Sequence, residues 1–121
     1  MYIRTLKRSL IKKMKPNKIL SLIGLATKGR KTVSGEFSTD KAVKSRKAFL
    51  VVVATDASDN TKKMFCDMCS FYKVPYFEYS TKEELGHAMG KELRASLAIT
   101  EEGFAKSIIK LKNELNGKRE A

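Results

Sequence analysis

Residues 48–54 read Ala-Phe-Leu-Val-Val-Val-Ala, an unbroken apolar run with three consecutive β-branched valines. A strand with one face in water alternates apolar with polar residues, so a continuous run of this kind is buried on both faces. It is also far short of the roughly 20 residues that cross a bilayer. The stretches on either side have helical spacing instead. Such a chain has to lay helices on both sides of a sheet, which is the α/β class.

The other elements keep that alternation. Asn17 is placed to cap a helix whose Ile19, Leu20, Ile23 and Leu25 face a core and which Gly29 ends. Residues 32–34 are a very short strand, and Gly35 permits a tight turn. Ser38 or Thr39 is expected to cap a second helix over about residues 40–46, with Ala42 and Val43 inward and Lys41, Lys44 and Lys47 outward. Beyond the central strand, Ser58 or Asp59 caps a third helix to Lys73, with Met64, Phe65, Met68, Cys69 and Phe71 in its interior. Residues 74–79 are a strand, and Thr81 with Glu84 has the spacing of a capping box for a short helix that Gly90 ends. Residues 91–94 make a compact loop and residues 95–99 a last strand. Thr100 then caps a helix carrying Phe104, Ile108, Ile109, Leu111 and Leu115, which frays from Asn116. The predicted fold is a three-layer α/β/α sandwich around a small mixed sheet of about four strands. At 121 residues one core is the natural outcome. The expected organisation is a basic N-terminal extension over 1–15, a folded domain over 16–116 and a frayed C-terminus over 117–121.

Charge along this chain is segregated. The first 35 residues hold ten lysines and arginines and no acid, whereas the remainder holds fifteen basic and thirteen acidic residues, nearly neutral within a total of +12. A polyanion with regularly spaced phosphates, RNA or DNA, fits this asymmetry best, because cations gain affinity there by counterion release. A merely soluble basic protein, or a tail drawn to an anionic membrane, would share it. The opening residues lack the h-region of a secretory signal and resemble, weakly, an Arg-rich transit peptide; a basic tail contacting RNA is the simpler reading.

Catalytic chemistry finds little support. The sequence has no phosphate-binding P-loop, no nucleophile elbow and no dinucleotide fingerprint. Glu83 with Glu84, and Glu101 with Glu102, fall in first turns of predicted helices, where acids complement the dipole. Cys66 and Cys69 make a Cys-x-x-Cys, but there is no second pair and the only histidine, His87, lies eighteen residues past Cys69. No zinc site is expected from at most three ligands, and the pair falls inside a helical pattern rather than at a strand-to-helix junction. Reduced structural thiols suit a cytoplasmic protein. No cofactor, metal, membrane or small-molecule substrate is expected.

Lys28, Arg30 and Lys31, then Gly35, then a helix start carrying Lys41 and Lys44, form a plausible phosphate site where backbone N–H groups and a helix dipole converge. A helix cap flanked by solvated lysines would explain each residue singly. The loop, the helix start and the Arg94 loop are expected at one end of the sandwich.

The segments Gly35 to Val43, Phe49 to Ala54 with Asp56, Val74-Pro75-Tyr76, Lys82 to Gly86 and Gly90 to Leu93, taken in that order, resemble the archaeal-type ribosomal protein superfamily that binds RNA kink-turns. The resemblance covers residues 17 to about 112. Within the superfamily the chain is most similar to small bacterial YlxQ-like ribosomal-protein homologues, which open with segments like Asn17 to Ala26. The resemblance implies an α/β/α sandwich that binds RNA without catalysis. It also implies a contact pattern Gly-x-Asn-Glu-x-x-Lys, here Gly35, Glu36, Phe37, Ser38 and Lys41, with Phe37 and Ser38 standing at the Asn and Glu positions. A bidentate acceptor for base edges is missing there, and Phe37 offers a stacking face in its place. The second contact implied is the loop with Glu92, Leu93 and Arg94, its apolar element meeting flipped-out bases. The expected function is recognition of structured, kink-turn-like RNA, rRNA or another, with the ribosome as a candidate assembly. The alternative is a protein-interaction module of translation or ribosome biogenesis with only nonspecific RNA affinity.

Overall fold

A computed structural model describes residues 17–120, with side chains described through residue 115; the predicted 1–15 extension lies outside the described residues. In chain order the elements are α1 (Lys18–Lys28), β1 (Thr32–Ser34), α2 (Glu36–Lys44), β2 (Leu50–Val53), α3 (Asp59–Tyr72), β3 (Tyr76–Glu78), α4 (Lys82–Ala88), β4 (Ser96–Ile99) and α5 (Glu102–Glu120). The strands form one mixed sheet in the order β1-β4-β2-β3, with β4 antiparallel to both β1 and β2, and β3 parallel to β2. Helices α1, α4 and α5 pack together, and α2 packs on α3. The predicted α/β sandwich is the observed one.

The central run behaves as its composition requires: Leu50, Val51, Val52 and Val53 are fully buried, and so are Leu97, Ala98 and Ile99 of the adjoining β4. Ile19 and Ile23 of α1, Val43 of α2, Phe65 of α3, Leu85 of α4 and Ile108 of α5 close the core around them.

Most caps are those predicted. The Asn17 side chain accepts the Leu20 N–H at 3.0 Å, Ser58 accepts that of Thr61, and Thr81 accepts that of Glu84. Four expectations are corrected. α2 begins at Glu36, about four residues earlier than predicted, and neither Ser38 nor Thr39 caps it. Gly35, at φ 91° and ψ 159°, turns the chain straight out of β1 into the helix, a conformation that residues with a Cβ rarely take. Thr100 does not cap α5, because its N–H continues the sheet by donating to the Lys31 carbonyl. Glu101 takes over, its carboxylate accepting from the Gly103 and Phe104 N–H groups. Leu25 is 54% exposed and Phe71 77% exposed. In α1 the buried stripe is Ile19, Ile23 and Ala26, and in α3 it is Phe65 and Cys69, so both side chains lie off the core face. Finally, the α5 backbone stays helical to Glu120, past the predicted fraying point at Asn116.

The topology gives the sheet two poles. β1, β2 and β3 run in one direction and β4 in the other, so Gly35, Ala54, Tyr79 and the residues just before Ser96 share one pole. Lys31, Phe49, Pro75 and Thr100 share the opposite one, as the bonds Phe49 N–H to Ile99 O, Thr100 N–H to Lys31 O and Val51 N–H to Pro75 O confirm.

Candidate nucleic-acid interface

Two segments meet at the Gly35 pole. The first is the start of α2. Its first helical bond runs from Thr39 N–H to Gly35 O, so the amides of Glu36, Phe37 and Ser38 have no partner within the helix, and Gly35 carries no side chain to cap them. Outward-pointing amides and the positive end of the dipole favour an anion there, and the Glu36 carboxylate in the same first turn partly meets that demand already. The Gly35 N–H is committed to the Ser96 carbonyl at 2.9 Å, which fixes the turn to β4 rather than leaving it free for a ligand.

Phe37 is 79% exposed, more than any other large apolar side chain described. A helical residue four positions on shares its face, and Lys41, with Asp40, Lys44 and Ser45, lines a shallow open depression beside the ring. Lys44 Nζ pairs with Asp40 Oδ1 at 3.0 Å, while Lys41 is exposed. The exposed face of α2 therefore presents an aromatic ring followed by two ammonium groups.

The second segment is the loop over residues 90–94. Gly90, at φ 72°, reverses the chain; Lys91 N–H donates to Gly86 O at 2.7 Å, and Arg94 N–H to Lys82 O at 3.0 Å, strapping the loop onto α4. The strap needs Gly86, because a Cβ built there would lie 2.3 Å from the Glu92 carbonyl oxygen. Glu92 and Leu93 are left at the surface, Leu93 57% exposed.

One side chain joins the two segments. Arg94 Nε donates to Ser34 Oγ at 2.9 Å and its Nη1 to the Leu93 carbonyl at 2.7 Å. The guanidinium is thus held between the residue before Gly35 and the tip of the loop. Ser34 was not among the residues singled out from sequence, and no local signal marks it, since its partner lies sixty positions away.

Gly35, Glu36, Phe37, Ser38, Lys41, Lys44, Glu92, Leu93 and Arg94 are accordingly brought together at one pole or on the helix face leading from it. Lys28, Arg30 and Lys31 are not. They sit at the far end of β1, and four extended residues separate Lys31 from Gly35 by about 13 Å, which corrects the expectation that all would share one end. The thiols also lie elsewhere. Cys69 is buried in α3 with its pKa pushed up to about 11, by burial first and then by Cys66, whereas Cys66 is exposed. Among the described residues no cluster of His, Cys, Asp and Glu could hold a metal ion, and no helix is long and apolar enough to cross a membrane.

The profile of the Ribosomal protein L7Ae/L30e/S12e/Gadd45 family matches residues 17–109, taking in the sheet, both segments of this pole and Arg94. The chain belongs to this family. Among its relatives, the RNA-binding protein YlxQ of Bacillus subtilis (strain 168) is 44% identical over 90 residues, covering 74% of this chain and 90% of that protein. The RNA-binding protein YlxQ of Enterococcus faecium is 43% identical over 89 residues, covering 74% and 85%. A solved structure of a protein of unknown function from Bacillus halodurans superposes with a TM-score of 0.77 at 34% identity, over 79% of this chain and 97% of that one. A Giardia lamblia 15.5kD RNA binding protein superposes with a TM-score of 0.70 at 22% identity, over 83% and 92%, a likeness of fold. Residues 17–109 of this family member thus carry the family's sandwich with Phe37 and Ser38 in the first turn of α2.

Proposed function

We propose that this family member is a non-catalytic RNA-binding protein that recognises a kink-turn-like bend in structured RNA at the Gly35 pole and acts in association with the ribosome. The observation that carries the reading is the Arg94 to Ser34 bond, which holds the α2 start and the Leu93 loop as one surface. Phosphates are met by the free amides of residues 36–38, by Lys41 and Lys44 and by the Arg94 guanidinium. Unstacked bases, which a bent RNA exposes and a regular A-form helix does not, are met by the Phe37 ring and the Leu93 side chain. With Phe37 and Ser38 replacing an amide and a carboxylate, base-edge hydrogen bonding gives way to stacking, so this chain tolerates changes of base that a bidentate acceptor would reject. Support also comes from the relatives at 43–44% identity, whose names call them RNA-binding proteins.

The test is a titration of a kink-turn RNA and a scrambled duplex of equal length at moderate salt. Preference for the kink-turn is expected. Equal binding would leave only electrostatic attraction, and absence of binding to either would make the exposed Phe37 face a protein-docking surface instead.

A further inference from the structure

The pole opposite Gly35 carries a second concentration of cations, and its construction is unusual. Four residues other than glycine have positive φ among those described: Arg30 at 60°, Arg46 at 60°, Lys73 at 59° and Ser80 at 63°. The first three follow the C-termini of α1, α2 and α3, in the left-handed position where a helix ordinarily ends on glycine. Each is held by backbone bonds: Arg30 N–H to Thr27 O, Arg46 N–H to Val43 O and the Lys73 N–H to Cys69 O. A cation near a helix C-terminus complements the dipole, which accounts for any one of them. Three left-handed cations in place of three glycines, all at one pole, call for a partner as well.

The surroundings say what the partner is. Phe71 is 77% exposed in the last turn of α3 and Phe49 is 40% exposed at the start of β2. Arg46 lies 5.6 Å from the centroid of the Tyr72 ring, and that ring meets Phe71 edge-on at 5.0 Å, so Arg46, Tyr72 and Phe71 form one cation–aromatic cluster. Neighbouring strands lie about 4.8 Å apart, so the starts of β1, β2 and β3, in the order β1-β4-β2-β3, spread these groups over roughly 15 Å. The acids of the Thr100 end are already engaged, Glu101 with the amides of its own helix and Glu102 with Lys106 at 3.6 Å. Cations interleaved with exposed aromatic faces suit a single-stranded nucleic acid, whose phosphates meet the charges and whose unstacked bases lie on the rings.

We infer that the far pole, built on Arg30, Arg46, Lys73, Phe49 and Phe71, is a second RNA-binding surface that takes an unpaired strand, so that the protein bridges two RNA segments from opposite ends of its sheet. The inference rests on RNA being the partner, not on kink-turn recognition at Gly35.

The test uses the full chain, with an oligouridine strand and a bare kink-turn as separate probes. The triple variant Arg30→Gly, Arg46→Gly, Lys73→Gly removes three charges while giving each left-handed position the residue that adopts it most readily, so the fold is retained and a thermal melt confirms it. Its affinity for oligouridine should fall at least about tenfold and its log–log salt slope should flatten by about 2. Bare kink-turn affinity should change less than about twofold, and the control triple Lys63→Gln, Lys91→Gln, Lys110→Gln should leave oligouridine binding near that of the wild type. Phe71→Ser should weaken oligouridine binding without altering the slope. Equal losses in the two triples, unchanged oligouridine binding in the glycine triple, no oligouridine binding by the wild type, or capture of phosphatidylserine vesicles in its place would each overturn the inference. Loss of kink-turn preference alone would overturn the function proposed for the Gly35 pole and leave this one standing.

Discussion

Gly86 is buried, yet its replacement should disable the surface one layer above it. In Gly86→Ala the new methyl carbon would stand 2.3 Å from the Glu92 carbonyl oxygen, 2.7 Å from the Glu92 carbonyl carbon and 3.0 Å from the Leu93 Cα. All three are backbone atoms, so no side chain can swing aside, and the loop must retreat by about 1 Å or more to reach ordinary contact distance. That movement is large beside the 2.9 Å bond from Arg94 Nε to Ser34 Oγ, which would stretch beyond hydrogen-bonding range and release the guanidinium. Overpacking of this kind costs about 1–3 kcal/mol. Alanine regains up to about 1 kcal/mol of helix propensity over glycine, leaving a net loss of about 1 kcal/mol and a Tm lower by about 4–5 °C for a domain of this size. Urea unfolding measures the first quantity. Kink-turn binding measures the second, with a loss of about tenfold, or 1.4 kcal/mol, expected from the displaced Leu93 and Arg94. Should Gly86→Ala prove as stable as the wild type or more so, propensity would have outweighed the clash and the loop would not be strapped as described. A destabilised variant with unchanged RNA affinity would separate the loop from recognition.

Reversing the exposed Lys41 charge, as Lys41→Glu, should weaken kink-turn binding by about 1–3 kcal/mol and flatten its salt dependence without moving the melting temperature, checked by fluorescence anisotropy at several salt concentrations. The Thr39 hydroxyl is fully buried and has no hydrogen-bond partner among the described residues; Thr39→Val should therefore raise stability by about 1 kcal/mol in a denaturant titration, and a loss would mean the hydroxyl is satisfied in solution. At pH 8 a small thiol reagent should modify Cys66 promptly and Cys69 only on unfolding, and mass spectrometry finding both sites labelled at equal rates would contradict the burial of Cys69. Because burial raises the Cys69 pKa from 9.0 to about 11, unfolding releases its proton between those values, so this group makes the fold less stable as pH climbs through that window; Cys69→Ala should remove that pH dependence.

Elements and caps were legible wherever a local rule decides them. Asn17, Ser58 and Thr81 cap because a short oxygen-bearing side chain reaches an amide two or three residues on, whatever the rest of the molecule does. Leu25 and Phe71 are exposed although apolar, because orientation on the helix decides burial and apolar identity alone does not. The α2 start was displaced because Ser38 and Thr39 are good caps in isolation, yet Gly35, pinned by its N–H to Ser96, begins the helix before either can act.

What the sequence by itself determined is the material of this protein: a doubly buried sheet from residues 48–54, helices on its two sides, an acid-free basic opening third and the family to which residues 17–109 belong. What only the tertiary structure decided is adjacency. Lys31 and Gly35 are four positions apart and lie at opposite poles, since an extended strand carries the chain away from itself at about 3.3 Å per residue. Ser34 and Arg94 are sixty positions apart and hydrogen-bonded, since the antiparallel register of β1 on β4 sets Ser34 opposite Leu97 and brings the residues before it alongside. Register is a cooperative property of the whole sheet, so no local pattern could have announced that Lys31 and Gly35 part to opposite poles while Ser34 and Arg94 meet.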